Sequence, residues 1–212
     1  MFQNRAEAGE RLAVQLARYS GSNTVVLALP RGGVPVAAKI AQALQAPLDL
    51  MLVRKVGLPG QKELALAAIA GTGGETLEVN AEVAAASGLD ADEIEQLADQ
   101  QRRELVRRRE LYLGSRAPVP LAGKTVIVVD DGVATGATMR AALRALRRAG
   151  PRRIVLAVPV APPEVIATLM AEVDDCVCLE TPPYFNAVGA HYASFPQVDD
   201  AEVIAFLNAA RK

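Results

Sequence analysis

Four β-branched residues in succession, Val126, Ile127, Val128 and Val129, stop abruptly at two aspartates, Asp130 and Asp131. So short and unbroken an apolar run suits a strand covered on both faces, inside a parallel sheet. Helices must then cover both faces, which narrows the fold to an α/β architecture. Ligands of such sheets bind beyond the carboxyl ends of the strands, so the two carboxylates are set to meet hydroxyls or a hydrated cation. The chain continues through Gly132, Val133, Ala134, Thr135, Gly136, Ala137 and Thr138 into a helix expected at 137–149. Gly132 and Gly136 permit close backbone approach, Thr135 and Thr138 offer hydroxyls, and a helix N-terminus favours a phosphate.

Elsewhere strand-like and amphipathic segments alternate, the rhythm of a doubly wound, mostly parallel sheet. The expected elements are a helix at 4–19, a strand at 24–29, a helix at 34–45 and a second strand at 48–53. Segments 65–70 and 76–79 read as a hairpin-like excursion about the turn 71–74. Strands at 154–160 and 176–179 complete the core, with a helix opened by Pro163 between them and a last helix at 199–210. A helical insertion at 80–113 starts with Asp90 and Glu93 at capping-box spacing and ends in Arg102, Arg103, Arg107, Arg108 and Arg109, an order that suits the helix dipole. Within it Ile94, Ala98, Leu105 and Tyr112 leave a narrow apolar stripe, to pack on the domain or on a second copy in a homodimer. A length of 212 residues suits one domain, 1–212, with 181–198 as a small C-terminal hood.

Net charge of −1 and a pI near 5.9 give no basic field toward nucleic acid or an anionic membrane. The arginines of 102–109 read as a solvated helix end, which disfavours nucleic acid as a partner. No segment approaches the ~18 consecutive apolar residues of a membrane span, and the opening stretch lacks the apolar core of a signal peptide, so a cytoplasmic protein is expected. Cys176 and Cys178 share one strand face and read as small buried apolar residues, too few for a zinc site.

Two further turns carry chemistry. In 29–35, Gly32 and Gly33 remove side chains where backbone must meet an anion, and Arg31 supplies a permanently charged fork. The second strand ends in Arg54 and Lys55 and runs into a turn at Pro59 and Gly60, which suits a loop folding over a polyphosphate. Lys62 and Glu63 are further loop candidates.

The run 125–138 resembles the phosphoribosyl pyrophosphate signature of the type I phosphoribosyltransferases: apolar residues, an acidic pair, and a loop ending in T-G-x-T. The resemblance implies a Rossmann-like phosphoribosyltransferase core in which Asp130 and Asp131 hold the ribose hydroxyls of the donor and stand near Mg2+. It implies that residues 132–138 wrap the donor's 5-phosphate and that Arg31, Gly32, Gly33 and Lys55 contact pyrophosphate. Arg54, Lys55 and Asp131 then take catalytic places, under a loop at 56–63 that closes. Ala134 stands where the hypoxanthine-guanine branch carries an aspartate, which disfavours that acceptor class.

The activity so implied is transfer of ribose 5-phosphate from phosphoribosyl pyrophosphate to a nitrogenous base or small amine, with release of pyrophosphate, in nucleotide metabolism. The alternative is a non-catalytic regulatory protein that senses phosphoribosyl pyrophosphate or a nucleotide. Tyr184, Phe185, Tyr192 and Phe195 crowd the hood segment. Tyr184 or Phe185 could stack on the acceptor base, or the group could be a satellite core under a long loop. His191 reads as structural or as a general acid or base.

Overall fold

The structure, a computed structural model, describes residues 1–21, 23–72 and 76–210, the side chains of 61–65 excepted. The chain runs α1 (Arg5–Leu16), β1 (Thr24–Ala28), α2 (Gly33–Leu44), β2 (Leu48–Leu50), β3 (Leu52–Leu58), β4 (Gln61–Gly71), β5 (Thr76–Val79), α3 (Ala81–Ser87), α4 (Ala91–Leu113), β6 (Thr125–Val129), α5 (Ala137–Arg148), β7 (Arg153–Val160), α6 (Pro163–Met170), β8 (Asp175–Glu180) and α7 (Asp200–Ala209). Five strands form a parallel sheet in the order β2-β1-β6-β7-β8.

Alternation along each strand divides the core. Val26, Ala28, Ile127 and Val129 face a cluster with Leu12, Leu16, Ile40, Leu44 and Leu207, so α1, α2 and α7 cover that side. Val25, Leu27, Val126 and Val128 face Met139, Leu143, Leu146, Ile166 and Leu169 of α5 and α6. Both faces of β6 are dry, which is why it carries no polar residue between Thr125 and Asp130.

The second strand departs from the sequence expectation. The parallel strand ends at Leu50, Met51 donates its N–H to the Ala28 carbonyl (2.9 Å), and the chain then leaves the main sheet. β3 begins a separate antiparallel sheet, β3-β4-β5. The hairpin expected from 65–70 and 76–79 is therefore the outer part of a three-stranded sheet, and 56–63 is a strand pair turned at Pro59 and Gly60 rather than an open loop. Gly60 turns with φ +82°, open to glycine at no steric cost. Gly73 and Gly74 of the 71–74 turn, and the side chains of Lys62 and Glu63, lie outside the described residues.

α4 starts on the capping box that Asp90 and Glu93 signalled, with both reciprocal hydrogen bonds present. Its apolar stripe is buried within this chain, against β3, β4 and α7. Arg109, read as part of the solvated end, is instead buried: its Nη1 donates to Asp49 Oδ1 at 3.2 Å, and Asp49 also accepts from the N–H groups of Leu50 and Val119. On β8, Cys176 and Cys178 are half-buried against the α5–α6 cluster, and burial pushes their thiols up to about 11 and about 12. No described helix is long and apolar enough to cross a membrane.

Candidate active site

The strand order reverses between β1 and β6, the place where open α/β sheets bind ligands beyond the carboxyl ends of their strands. Leu29 N–H donates to the Val129 carbonyl at 2.9 Å, so the turn after β1 and the acidic pair after β6 leave the sheet side by side. A Cβ on Gly32 would overlap Asp131 Oδ2, and one on Gly33 would stand 2.7 Å from the Val129 carbonyl oxygen. The two glycines are thus required by contact with the acidic pair itself. Arg31, at the rim, meets Asp200 at 3.6 Å.

Asp130 is half-buried and accepts the Asp131 N–H at 2.9 Å. Burial first, and then the charge of Asp131, pushes its carboxyl well above the usual carboxylate value. Beyond the pair, Val133 turns inward and its N–H donates to the Val160 carbonyl at 3.0 Å, tying the loop to β7. Ala134, Thr135, Ala137 and Thr138 are exposed. Gly136 caps α5 at φ +76°, and no side chain hydrogen-bonds the helix start, which leaves its first N–H groups without a capping side chain. The loop thus offers hydroxyls and uncapped N–H donors, the complement of a phosphate.

Asp131 has partners that its local sequence does not announce. Arg5 Nε donates to Asp131 Oδ2 at 2.8 Å, and Arg5 Nη1 to the Pro196 carbonyl at 2.7 Å, while the guanidinium lies 3.7 Å from the Phe195 ring centre. The Tyr192 hydroxyl donates to the Asp131 carbonyl at 2.6 Å. These contacts join α1 and the hood to the acidic pair across a long sequence separation, so no local pattern could reveal them.

Arg54 and Lys55 part company. Successive side chains of a strand point to opposite faces, and the Arg54 guanidinium turns to α4, bonding Gln101 Oε1 at 3.2 and 3.0 Å and approaching Glu104 at 3.9 Å. Arg54, expected at the site, thus makes its side-chain contacts on α4. Lys55 faces the other way and lines a 440 Å³ cavity with Ala137, Thr138 and Arg140 at the start of α5. Arg140 itself reaches back toward the loop, its Nη2 3.8 Å from where a Gly136 Cβ would stand.

The hood aromatics divide as well. Phe2, Tyr192, Phe185 and Phe195 build a satellite core with Ala8 and Val160, and Phe185 stacks on His191 with ring centres 5.2 Å apart. Tyr184 is 89% exposed. Among the described arginines of 102–109, Arg102 pairs with Glu95 and Asp99, while Arg107 and Arg108 pair with Glu104, so the helix neutralises most of its own basic end. No group of three or more potential metal-binding side chains occurs among the described residues.

A phosphoribosyl transferase domain family matches residues 2–194. The Mycobacterium tuberculosis protein named "Putative phosphoribosyl transferase Rv0571c" is 46% identical over 212 residues, which are 100% of this chain and 47% of that protein. The chain therefore spans about half the length of the curated relatives it matches. The crystal structure of TT1426 from Thermus thermophilus is 44% identical, with a TM-score of 0.84 over 97% of each chain. The AQ2163 protein from Aquifex aeolicus shares the fold at 12% identity, with a TM-score of 0.53 over 97% of this chain and 84% of its own.

Proposed function

Because this chain belongs to the phosphoribosyl transferase family, we propose that it transfers ribose 5-phosphate from phosphoribosyl pyrophosphate to a nitrogenous base or small amine and releases pyrophosphate. One observation carries the reading: at the switch point of the sheet, Asp131 packs against Gly32 while an uncapped helix start follows five residues later at Gly136. Hydroxyl acceptors, a glycine turn and uncapped N–H donors converge there in the order in which a ribose carrying phosphate at both ends would need them.

In this assignment Asp130 and Asp131 receive the ribose hydroxyls. Residues 132–138 take the 5-phosphate, with Thr135 and Thr138 adding hydroxyl donors. Arg31 and the backbone of Gly32 and Gly33 take pyrophosphate, and the loose 3.6 Å contact of Arg31 with Asp200 leaves its guanidinium free to turn inward. Lys55, expected at pyrophosphate, is assigned instead to the 5-phosphate end beside Thr138, given the cavity they share. Two carboxylates, with no third metal-binding side chain grouped with them among the described residues, suit a hydrated magnesium ion carried in on pyrophosphate, since that ion keeps several waters and takes few protein ligands. The burial of Asp130, which pushes its carboxyl up despite the Asp131 N–H and the charge of Arg5, fits the approach of such a cation. When bound, magnesium neutralises charge on the departing oxygens.

The chain's own residues do the rest by placed charge. Positive charge develops on the ribose beside Asp130 and Asp131, and negative charge on pyrophosphate beside Arg31. Closure of the β3–β4 arm over the donor would exclude water as a competing acceptor. Tyr184, the exposed aromatic of the hood, is free to stack on an acceptor ring, and Ala134 removes the acid that a hypoxanthine-guanine acceptor would meet. Such chemistry belongs to cytoplasmic nucleotide metabolism. Release of pyrophosphate across a panel of purines, pyrimidines and amines tests the proposal. Asp131→Asn should lower the rate about a hundredfold or more, and donor binding and turnover that survive it intact would overturn the assignment.

A further inference from the structure

Resting on that reading, we infer that Arg5 is a positioning residue for the donor: it holds one oxygen of Asp131 so that the other is presented to a ribose hydroxyl. The Asp131 carboxylate could swing about its own side chain if it stood alone at the strand end. It does not stand alone. Oδ2 is fixed between Arg5 Nε, 2.8 Å away, and the bare Cα of Gly32. Oδ1 receives no hydrogen bond from the arginine.

Arg5 is itself fixed. Its Nη1 bonds the Pro196 carbonyl at 2.7 Å, its guanidinium lies over Phe195, and its side chain is 9% exposed. A planar fork that is pinned on two sides and stacked on a ring defines a direction, which a lysine ammonium on a flexible stem cannot do. The residues before it hold the same frame. Phe2 N–H donates to the His191 carbonyl at 2.8 Å, and Ala193 and Ser194 N–H groups donate to the carbonyls of Phe2 and Gln3 at 2.8 and 3.0 Å. The N-terminal strand-like segment thereby fastens the hood to α1, and Arg5 carries that connection to Asp131.

A merely structural ion pair would support the fold without changing how the donor is held. The discriminating experiment is a double-mutant cycle of Arg5→Gln and Asp131→Asn, with Arg5→Lys as a milder variant that retains the charge. Affinity for phosphoribosyl pyrophosphate and for pyrophosphate alone is measured by calorimetry with magnesium present, on variants whose thermal melts show them folded. The expected result is that Arg5→Lys and Arg5→Gln weaken donor binding about tenfold or more, the scale of one charged hydrogen bond, while pyrophosphate affinity holds. Arg5→Gln should then add little in the Asp131→Asn background, because it acts through that carboxylate.

If Asp131→Asn weakens the donor but folded Arg5→Lys and Arg5→Gln bind it as the parent does, the positioning role is overturned and the donor site stands. Additive losses, or equal losses for donor and pyrophosphate, overturn it too, since they mark general support. If Asp131→Asn leaves donor affinity unchanged, the donor assignment fails and the role of Arg5 fails with it.

Discussion

The hydroxyl of Tyr192 donates to the backbone carbonyl of Asp131 at 2.6 Å, from a hood segment sixty-one residues further along the chain. Burial, and next the charge of Asp131, pushes the phenol far up, so it remains a donor at any working pH. Tyr192→Phe keeps the ring between Phe2 and Phe195 and removes only the donor. The expected cost is about 1–3 kcal/mol, the penalty for an acceptor left unpaired, read by urea denaturation. Stability equal to the parent's would show that this bond does not hold the hood.

Lys55 and Arg54 offer a paired test of strand alternation. Lys55→Ala should weaken binding of ribose 5-phosphate about tenfold or more, the loss of one charged contact. Arg54→Gln should leave that affinity in place and cost about 1–3 kcal/mol in stability, chiefly for its hydrogen bonds to Gln101, since its ion pair with Glu104 is long and partly exposed. The opposite pattern in calorimetric titrations would return Arg54 to the site.

Arg109 locks the helical insertion to the main sheet. Replacing it with Met leaves Asp49 buried without its cation, at an expected cost of about 3–5 kcal/mol. A denaturation midpoint close to the parent's would contradict so costly a vacancy.

Acid lability should arise partly at the edge of β7. The Asp174 carboxylate accepts the Ile154 N–H at 2.7 Å and meets Arg147 at 3.0 Å, and that backbone bond, more than the arginine, holds its carboxyl below the usual value. A depressed folded value means that this stabilisation is complete above the unfolded value of ~3.9 and fades as pH falls through the folded one. Asp174→Asn should therefore lower the melting temperature near neutrality and flatten its decline below about pH 4. A variant whose melting temperature falls with acid as steeply as the parent's would exclude Asp174 as a source.

What the sequence disclosed, and what it hid, follows from distance along the chain. Val126 to Val129 and the residues after them lie in one strand, one turn and one helix start, so their burial and their chemistry are both local patterns. Gly32 and Gly33 could be read for the same reason, although the pair they press against lies near residue 130. The end of the parallel strand at Leu50 could not be seen, because apolar residues continue through Val53 while the chain changes sheets at Met51. That hidden change sends Arg54 to α4 and Lys55 to α5, a division that adjacent basic residues cannot display. The pairing of Arg5 with Asp131 is a purely tertiary fact: an arginine in the first turn of an amphipathic helix has no local feature that distinguishes it from a solvated one.

Asp130 sets stability against function most directly. Its buried carboxyl is pushed well above the ordinary value, so the folded state favours the protonated form. Its contribution is then favourable below the unfolded value of ~3.9 and is lost as pH rises toward the folded one, leaving a cost in folding near neutrality. Asp130→Asn removes that cost, and the amide oxygen can still accept the Asp131 N–H that Oδ1 now takes at 2.9 Å. The variant should melt higher than the parent at pH 7 and lose that advantage in acid. It should also bind phosphoribosyl pyrophosphate poorly, because the amide cannot attract the magnesium-bearing donor or counter positive charge on the ribose. Melting curves at two pH values and donor titrations on the same samples measure both effects. A variant that melts lower at pH 7 would show the buried carboxylate to be compensated within the fold, and one that binds donor normally would remove Asp130 from the site.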